Sequence, residues 1–520
     1  MLVFAVYDES GPAAEWPLQH AHLLGPDDIG VQGEIHFEPG RILCEKRSAD
    51  AAALALMVDA GAPGRLILQT CLLPDRDEPY LLSLELARHR LKTFLVKLED
   101  WLLFELSVEH PVIRGWNQAR ETFTEAIVVE RSDPAKADRL ARKALEEAID
   151  ASERLAMMHA DLLLKKRTLN RAASDGDLGC QVHQTQFAEP LAKLVAQTFD
   201  FISMPIRWRE VEPEEGEYDW SKFDRWAEWA ATQKVPVVVG PLIDFRPLSV
   251  PDWLYVWEHD YDTTHDLLHE HIETVVNRYK HVATIWNVAS SLHINKSFTL
   301  AYDQLMDLTR MATSLIRSLH PSAKTMIEIT EPFGEYFAAN PKSVPPIVYA
   351  ETIAQSGYKL DLIGVSFLQG GHRLGQGSRD LMQFSALLDK LLYLELPVVI
   401  SGLGAPSHRP KLDDRAGPDP AGYWHAAWSP AQQSEWLAKA AAIGLSKPFI
   451  ESICIHELFD HQAAELLGAG LITGSGRAKP ALQQMSLAHR AIHSGELQCS
   501  TDGEREWSIS DIAPDLEYLQ

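Results

Sequence analysis

The sequence predicts a protein of the α/β class, a (β/α)8 TIM barrel preceded by a small β-rich domain and a helical segment. Two observations predict the barrel. From about Thr168 onward, short apolar runs alternate with amphipathic helical stretches, and there are eight such runs. Parallel strands buried on both faces are apolar at successive positions, and eight β/α units over ~320 residues have the length typical of this barrel.

Three parts are predicted before and after the barrel. Residues 1–80 form a β-rich module, because short apolar runs such as GRLILQTCLL (64–73) are bounded by glycine and charge. Residues 81–167 form a helical hairpin or three-helix segment, because apolar residues recur at helical spacing and Asp-Pro at 133–134 is a typical helix start. Its charged face is either solvated or binds a protein partner. The barrel covers 168–495, and 496–520 form a C-terminal tail.

Each of the eight predicted strands is bounded by turn residues or helical stretches. They are DLGCQVH (177–183), FDFISMPI (199–206), VPVVVGPLI (235–243), ATIWNVAS (283–290), TMIEIT (325–330), LDLIGVSFL (360–368), LPVVISGL (396–403) and SICIHEL (452–458).

Composition excludes several classes of function. The formal net charge of −25 disfavours nucleic acid and anionic membrane surfaces as partners, and no apolar run approaches the ~20 residues that span a bilayer. The N-terminal MLVFAVYDES lacks a leading basic residue, so it predicts a strand rather than a secretory signal. Five widely spaced cysteines without CxxC argue against a disulfide framework or zinc knuckle. We therefore expect a cytoplasmic protein without a metal or cofactor.

Several segments resemble a known family. IRWREVEPEEGEYDWSKFDRWAEWA (206–230) is similar to the second-strand region of glycoside hydrolase family 10, the endo-β-1,4-xylanases. HIETVVNRYKHVATIWNVAS (271–290), ELPVVISGLG (395–404) and GLITGSGRAKPAL (470–482) resemble later blocks of the family in the same order. The resemblance implies a barrel that acts on or binds a β-linked, xylan-like polysaccharide or oligosaccharide. Carbohydrate-binding modules often precede such barrels, so residues 1–80 are expected to be of that kind.

The departures from the family bear on catalysis. Retaining glycosidases use one carboxylate as nucleophile and a second carboxyl group as acid/base. The resemblance places the acid/base on Ser291 and the nucleophile on Gly402. Serine has too high a pKa to protonate a leaving oxygen, and glycine carries no nucleophile, although Gly402 is expected to leave room for a water molecule. The sequence therefore predicts that ordinary retaining endo-xylanase chemistry is lost, and leaves a non-catalytic glycan- or protein-binding barrel as the alternative.

Other carboxylates are candidates for replacement chemistry. Glu331, Glu335, Glu457 and Asp460 follow predicted strands five and eight, and TIM-barrel active sites lie at these carboxyl ends. Glu331 and Glu457 are the leading pair. The alternative interpretation is that these residues pair with arginines or cap helices.

Candidate substrate-binding residues lie mostly at or just after predicted strand ends, where aromatic rings could stack on sugars. They are Arg207, Trp208, Trp253, Trp286, His372 and Trp424. Core packing is the alternative for the tryptophans, and a flexible surface loop for His372. HELFDH (456–461) does not predict zinc, because its histidines are five residues apart rather than four.

Overall fold

The structure is a computed structural model, and it describes residues 1–47, 49–169, 178–182, 187–409 and 420–494. The predicted C-terminal tail at 496–520 lies outside these ranges, so nothing tests that part of the prediction.

The N-terminal region is β-rich, as predicted. It contains ten short strands: β1 (Leu2–Ala5), β2 (Tyr7–Asp8), β3 (Gly11–Pro12), β4 (His22–Leu24), β5 (Gly30–Val31), β6 (Gly33–Glu38), β7 (Arg41–Lys46), β8 (Ala53–Asp59), β9 (Gly64–Gln69) and β10 (Tyr80–Leu81). One sheet has the order β10-β1-β7-β6, while β9, β8, β4 and β5 belong to a second sheet.

Three helices follow, so the three-helix alternative is the observed one. They are α1 (Leu82–Asp100), α2 (Pro111–Val129) and α3 (Pro134–Leu169). Alanines along α3, such as Ala141, Ala144 and Ala148, are fully buried, which lets the long helix pack closely against α1 and α2. None of the helices in the described ranges combines the length and the apolar character that a membrane span requires.

The described residues from 178 to 494 form the predicted barrel. Its eight strands are β11 (Leu178–Gln181), β12 (Phe201–Met204), β13 (Val237–Val239), β15 (Ala283–Ser290), β16 (Lys324–Ile329), β17 (Leu362–Leu368), β18 (Val398–Gly404) and β20 (Ile450–Ile455). All neighbours are parallel, and pairing of β13 with β15 closes the ring. A short extra strand, β14 (Ile243–Asp244), extends the edge of β15, and β19 (Tyr423–Trp424) lies outside the barrel.

Helices and turns connect these strands. They include α4 (Glu189–Thr198), α5 (Trp208–Val211), α6 (Ser221–Gln233), α7 (Tyr261–Tyr279), α8 (Tyr302–Leu319), α9 (Glu335–Ala339), α10 (Pro346–Gln355), α11 (Leu381–Leu391), α12 (Pro430–Ser446) and α13 (Pro480–Ser494).

The N-terminal region and the barrel are joined by shared structure. β19 pairs antiparallel with β9, so a barrel loop completes a five-stranded sheet of the N-terminal region. On α3, Glu153 accepts hydrogen bonds from the Trp424 indole and from the Leu381 amide, at 2.6 and 3.0 Å. Asp380 caps α11 and also pairs with the buried Arg90 of α1. The helical segment therefore packs on the barrel of its own chain.

Candidate functional site at the barrel mouth

The barrel interior changes from apolar to polar toward the carboxyl ends of the strands. A cluster of Phe201, Val238, Met326, Leu362, Val399 and Cys454 fills the lower interior. Alternate residues of a strand share a face, so the residue two positions later points into the same interior one layer higher. Those positions hold mostly polar groups, among them Ser203, Asn287, Glu328, Ser401 and His456, which all line the mouth cavity. The site is thus a polar layer above an apolar plug.

Glu328 of β16 is the carboxylate of this layer. It accepts hydrogen bonds from Ser401 Oγ at 2.6 Å and from Asn287 Nδ2 at 3.3 Å, so strands four and seven hold it from both sides. Glu328 is not among the predicted site residues, because the fifth strand was expected to be apolar on both alternations. An acidic residue inside an otherwise apolar strand was the available signal.

Arg246 occupies the mouth above this layer. It follows β14 and donates from Nε and Nη2 to Asp244, while its Nη1 donates to Glu465 at 2.5 Å. Burial alone would raise the pKa of Glu465, but the Arg246 guanidinium and nearby His456 hold it below its usual value. The guanidinium therefore bridges the loops after strands three and eight.

The space that remains is small. The mouth cavity has a volume of about 50 Å³. Small-molecule sites usually measure about 300–1,000 Å³, so this cavity accommodates water but not a sugar ring while Arg246 keeps its ion pairs.

The two positions that the sequence resemblance assigns to catalytic residues lie at the carboxyl ends of their strands. Ser291 directly follows β15, with its hydroxyl 2.7 Å from Thr330 Oγ1. A Cβ built on Gly402 of β18 would lie 2.6 Å from Ser366 Oγ and 3.2 Å from His456 Nδ1. A water oxygen at these distances would be a hydrogen-bond partner of Ser366 and His456, so the expectation that Gly402 leaves room for a water stays a prediction.

Glu331 lies close to this network. Its backbone is left-handed, with φ of 47°, two residues after the end of β16. Burial and the carboxylates of Glu335 and Glu465 raise its pKa to about 8, although Arg246 acts in the opposite direction. Glu331 is therefore protonated at neutral pH, while nearby Glu465 is ionised, and this contrast is typical of acid/base sites.

We expect Glu331→Gln to stabilise the protein at alkaline pH. Between the ordinary glutamate pKa of 4.5 and the raised pKa of about 8, the folded carboxyl holds a proton that the unfolded chain releases, so the unfolding free energy falls as pH rises through this window. Glutamine resembles the protonated form and removes that loss. The gain should be near zero at pH 4 and about 1–3 kcal/mol at pH 9. Thermal unfolding across pH measures it, with exposed Glu228→Gln as the control; a gain independent of pH would contradict the argument.

The other three predicted catalytic carboxylates lie outside the cavity lining, and two of them are held in ion pairs. Glu335 pairs with the Arg379 guanidinium, and Asp460 pairs with Lys479 at 2.7 Å. Glu457 is buried, with Oε2 3.2 Å from His461 Nε2. No hydrogen bond joins Glu331 to Glu457 in the described ranges, and the leading pair stays a prediction.

The predicted tryptophan cleft is not formed. Trp286 and Trp424 are fully buried, and Trp208 is 7% exposed and stacks on His271. Trp286 precedes the interior-facing Asn287 by one residue, so strand alternation turns it outward, where its indole donates to His320. Trp253 is half-buried, packs edge-on against Trp208 and donates to the Glu212 carbonyl. These four rings are packing residues.

The remaining two predicted binding residues differ in their relation to the mouth cavity. Arg207 lines the mouth cavity and pairs with Glu210 at 3.2 Å. His372 is half-buried in the loop after β17 and is not among the residues that line the mouth cavity.

A second cavity, of about 370 Å³, lies between the N-terminal region and the barrel. Its walls come from the N-terminal strands and turns, from α1, α10 and α11, and from the loop after β16, and buried Arg90 and Arg379 in its lining pair with Asp380 and Glu335. It is larger than the mouth cavity and reaches the loop after β16 through Pro332, Phe333 and Gly334, but most of its lining comes from the N-terminal region and from helices. We assign the candidate site to the mouth, because TIM-barrel chemistry is performed at the carboxyl ends of the strands.

Comparisons with known proteins find similarity to one family. The family model described as "Glycosyl hydrolase family 10" matches residues 168–416. Among solved structures, native xylanase 10B from Thermotoga maritima is 16% identical, with 64% of this chain and 99% of that chain covered and a TM-score of 0.46. A GH10 endoxylanase from a sugarcane soil metagenome is 17% identical, with 61% and 98% covered and a TM-score of 0.46. Xylanase 10B from Thermotoga petrophila in complex with xylobiose is 16% identical, with 63% and 97% covered and a TM-score of 0.44.

Proposed function

We propose, on the premise that this chain contains a glycosyl hydrolase family 10-like barrel, that the protein binds the end of a β-linked, xylan-like oligosaccharide without hydrolysing it by the retaining mechanism. The observation that carries the proposal is that Gly402 supplies no carboxylate and that the Ser366 hydroxyl lies 2.6 Å from where its Cβ would be. Ser291 at the other position is engaged with Thr330. A retaining glycosidase needs a carboxylate at the first position and a carboxyl group at the second.

The polar layer supports binding. Arg207, Asn287, Ser366 and His456 present donors and acceptors around one small opening, and such convergent polar groups recognise hydroxyl-rich ligands. Because the opening is small, a sugar would enter only after Arg246 exchanges its contact with Glu465 for contacts with ligand hydroxyls. That exchange opposes binding, so we expect weak affinity.

Xylan should therefore remain intact. We expect no release of reducing sugar from xylan, and no aryl release from an aryl xylobioside, at any pH between 4 and 9. Clear turnover that persists in a Glu331→Gln/Glu457→Gln variant would overturn the proposal, since it would require a catalytic pair that the structure does not bring together.

Binding is tested by titration calorimetry with xylotetraose. Arg207→Ala should abolish detectable heat, because Arg207 lines the mouth. Arg209→Ala is the matched control, since Arg209 lies two residues away and pairs with exposed Asp252 instead. Equal binding by both variants, or none by the unmodified protein, would reject the glycan-binding mouth.

A second candidate is a hydrolase that uses Glu331 as the acid and Glu465 as the base. The observation in its favour is that their surroundings drive their pKa values in opposite directions beside Arg246. It predicts turnover of some glycoside that falls by about 10²–10⁴-fold in Glu331→Gln.

A further inference from the structure

A cluster of metal-ligand type lies at the opposite end of the barrel from the mouth. Asp200 directly precedes β12, and His489 and His493 lie on α13, the last described helix. The Nε2 atoms of His489 and His493 are 3.0 and 2.7 Å from the same oxygen, Asp200 Oδ1. One donor atom from each of the three residues lies within 4.8 Å of the other two.

We propose that Asp200, His489 and His493 bind a zinc-type divalent cation. Histidines at positions i and i+4 share one face of a helix, and HRAIH (489–493) has this spacing. Neutral imidazole together with one carboxylate suits zinc and its first-row neighbours rather than calcium or magnesium, which prefer oxygen ligands.

The carboxylate is oriented for this role. Asp200 Oδ2 accepts a hydrogen bond from the Leu178 amide at 3.0 Å, and the Asp200 amide donates to the Leu178 carbonyl at 2.7 Å. Strand β11 thus fixes Oδ2 and leaves Oδ1 directed at both imidazoles. Hydrogen bonds of this kind orient the ligands of metal sites.

The distances are close to those of coordination. Tetrahedral zinc, at ~2.0–2.1 Å from each donor, places donor atoms about 3.3 Å apart. The two observed separations from Oδ1 are shorter by a few tenths of an ångström, so small imidazole rotations suffice. The side chains of His489 and His493 are 16% and 47% exposed, which leaves a route for the ion and a fourth position for water.

The position indicates what the ion would do. Asp200 belongs to the second β/α unit and the histidines to the last helix, which packs on α4 and α12. A bound cation would link the last helix of the barrel to its second β/α unit. It would lie at the amino-terminal face of the strands, where residues of TIM barrels contribute to stability rather than to catalysis. The site is independent of the proposed sugar-binding mouth.

The test uses the full chain and zinc chloride in titration calorimetry after treatment with a chelator. We expect one zinc ion per chain and a higher unfolding temperature with zinc. His489→Gln/His493→Gln should weaken zinc binding by at least about tenfold and lose the temperature shift. His259→Gln, whose side chain is 93% exposed, is the matched control and should keep both.

Cobalt substitution gives a readout that does not depend on the variants. Tetrahedral Co²⁺ has strong visible absorption, which should appear in the unmodified protein and disappear when zinc is added. Absence of these bands, or zinc binding of unchanged affinity in the double variant, would overturn the proposal.

Discussion

Gly402→Glu should destabilise the barrel severely and restore no xylanase activity. The new Cβ would lie 2.6 Å from Ser366 Oγ, and the new carboxylate would enter a cavity of about 50 Å³ that Glu328 and Glu465 already line. Overpacking costs about 1–3 kcal/mol, and a further buried carboxylate beside two others adds a cost of similar size. Thermal and urea unfolding should show a loss of about 3–5 kcal/mol.

Smaller substitutions at Gly402 separate the cost of overpacking from the cost of burying a further carboxylate. Gly402→Ala adds only the methyl group, so its cost should be about 1 kcal/mol and should vanish when combined with Ser366→Gly. The Ser291→Glu/Gly402→Glu double variant should likewise fail to recover activity. Full stability of Gly402→Glu would show that the mouth is more open than described.

Glu335→Gln should be comparably damaging, because it breaks a buried ion pair. The Glu335 and Arg379 side chains are 0% and 6% exposed, and the second oxygen of Glu335 accepts from the Gly375 amide at 3.2 Å. Removing one partner of a buried pair costs about 3–5 kcal/mol, because the other charge is left without compensation. The unfolding transition measured by circular dichroism should shift accordingly, whereas Arg154→Met, at an exposed pair, should change stability by less than about 1 kcal/mol.

Two further measurements test the assignment to the ion pair. Glu335→Leu/Arg379→Met removes both charges and should recover much of the loss. Burial alone would raise the pKa of Glu335, but Arg379 and His20 hold it well below its usual value. Its contribution is therefore complete above the ordinary glutamate pKa of 4.5 and is lost as pH falls below it, so Glu335→Gln should destabilise less in acid. An equal effect at all pH values would contradict this.

The barrel was predictable because its strands are apolar at consecutive positions. The run 283–290 matches β15 residue for residue, and the other seven strands lie within or beside their predicted runs. Most of the mouth was not predictable in the same way. Closure of the ring decides which of two neighbouring strand residues points into the barrel. The sequence pattern alone does not show this, and it predicts Trp286 in the cleft, whereas the structure has Asn287 facing the barrel interior and Trp286 buried.

Contacts between segments that are distant in the sequence also could not be predicted from the sequence pattern. Glu335 was selected as a catalytic candidate, but Arg379 and His20, which neutralise it, come from other loops. The fold also brings together three residues from different strand ends, which line one cavity and include the ion pair of Arg246 with Glu465. The third residue is Glu328. The sequence indicates which single residues are chemically suited to a site, but only the fold shows which of them are in contact.

The short pairing of β19 with β9 joins the N-terminal region to the barrel, and the sequence pattern does not predict this pairing. Gly64 lies so close to Tyr423 that a side chain there would meet the Tyr423 carbonyl at 2.4 Å, so this seam tolerates little variation. A recombination event or an engineered graft that moved residues 168–520 alone would strip Trp424 of its strand partner and of Glu153. We therefore expect the transplanted barrel segment to be less stable than the same segment in the full chain.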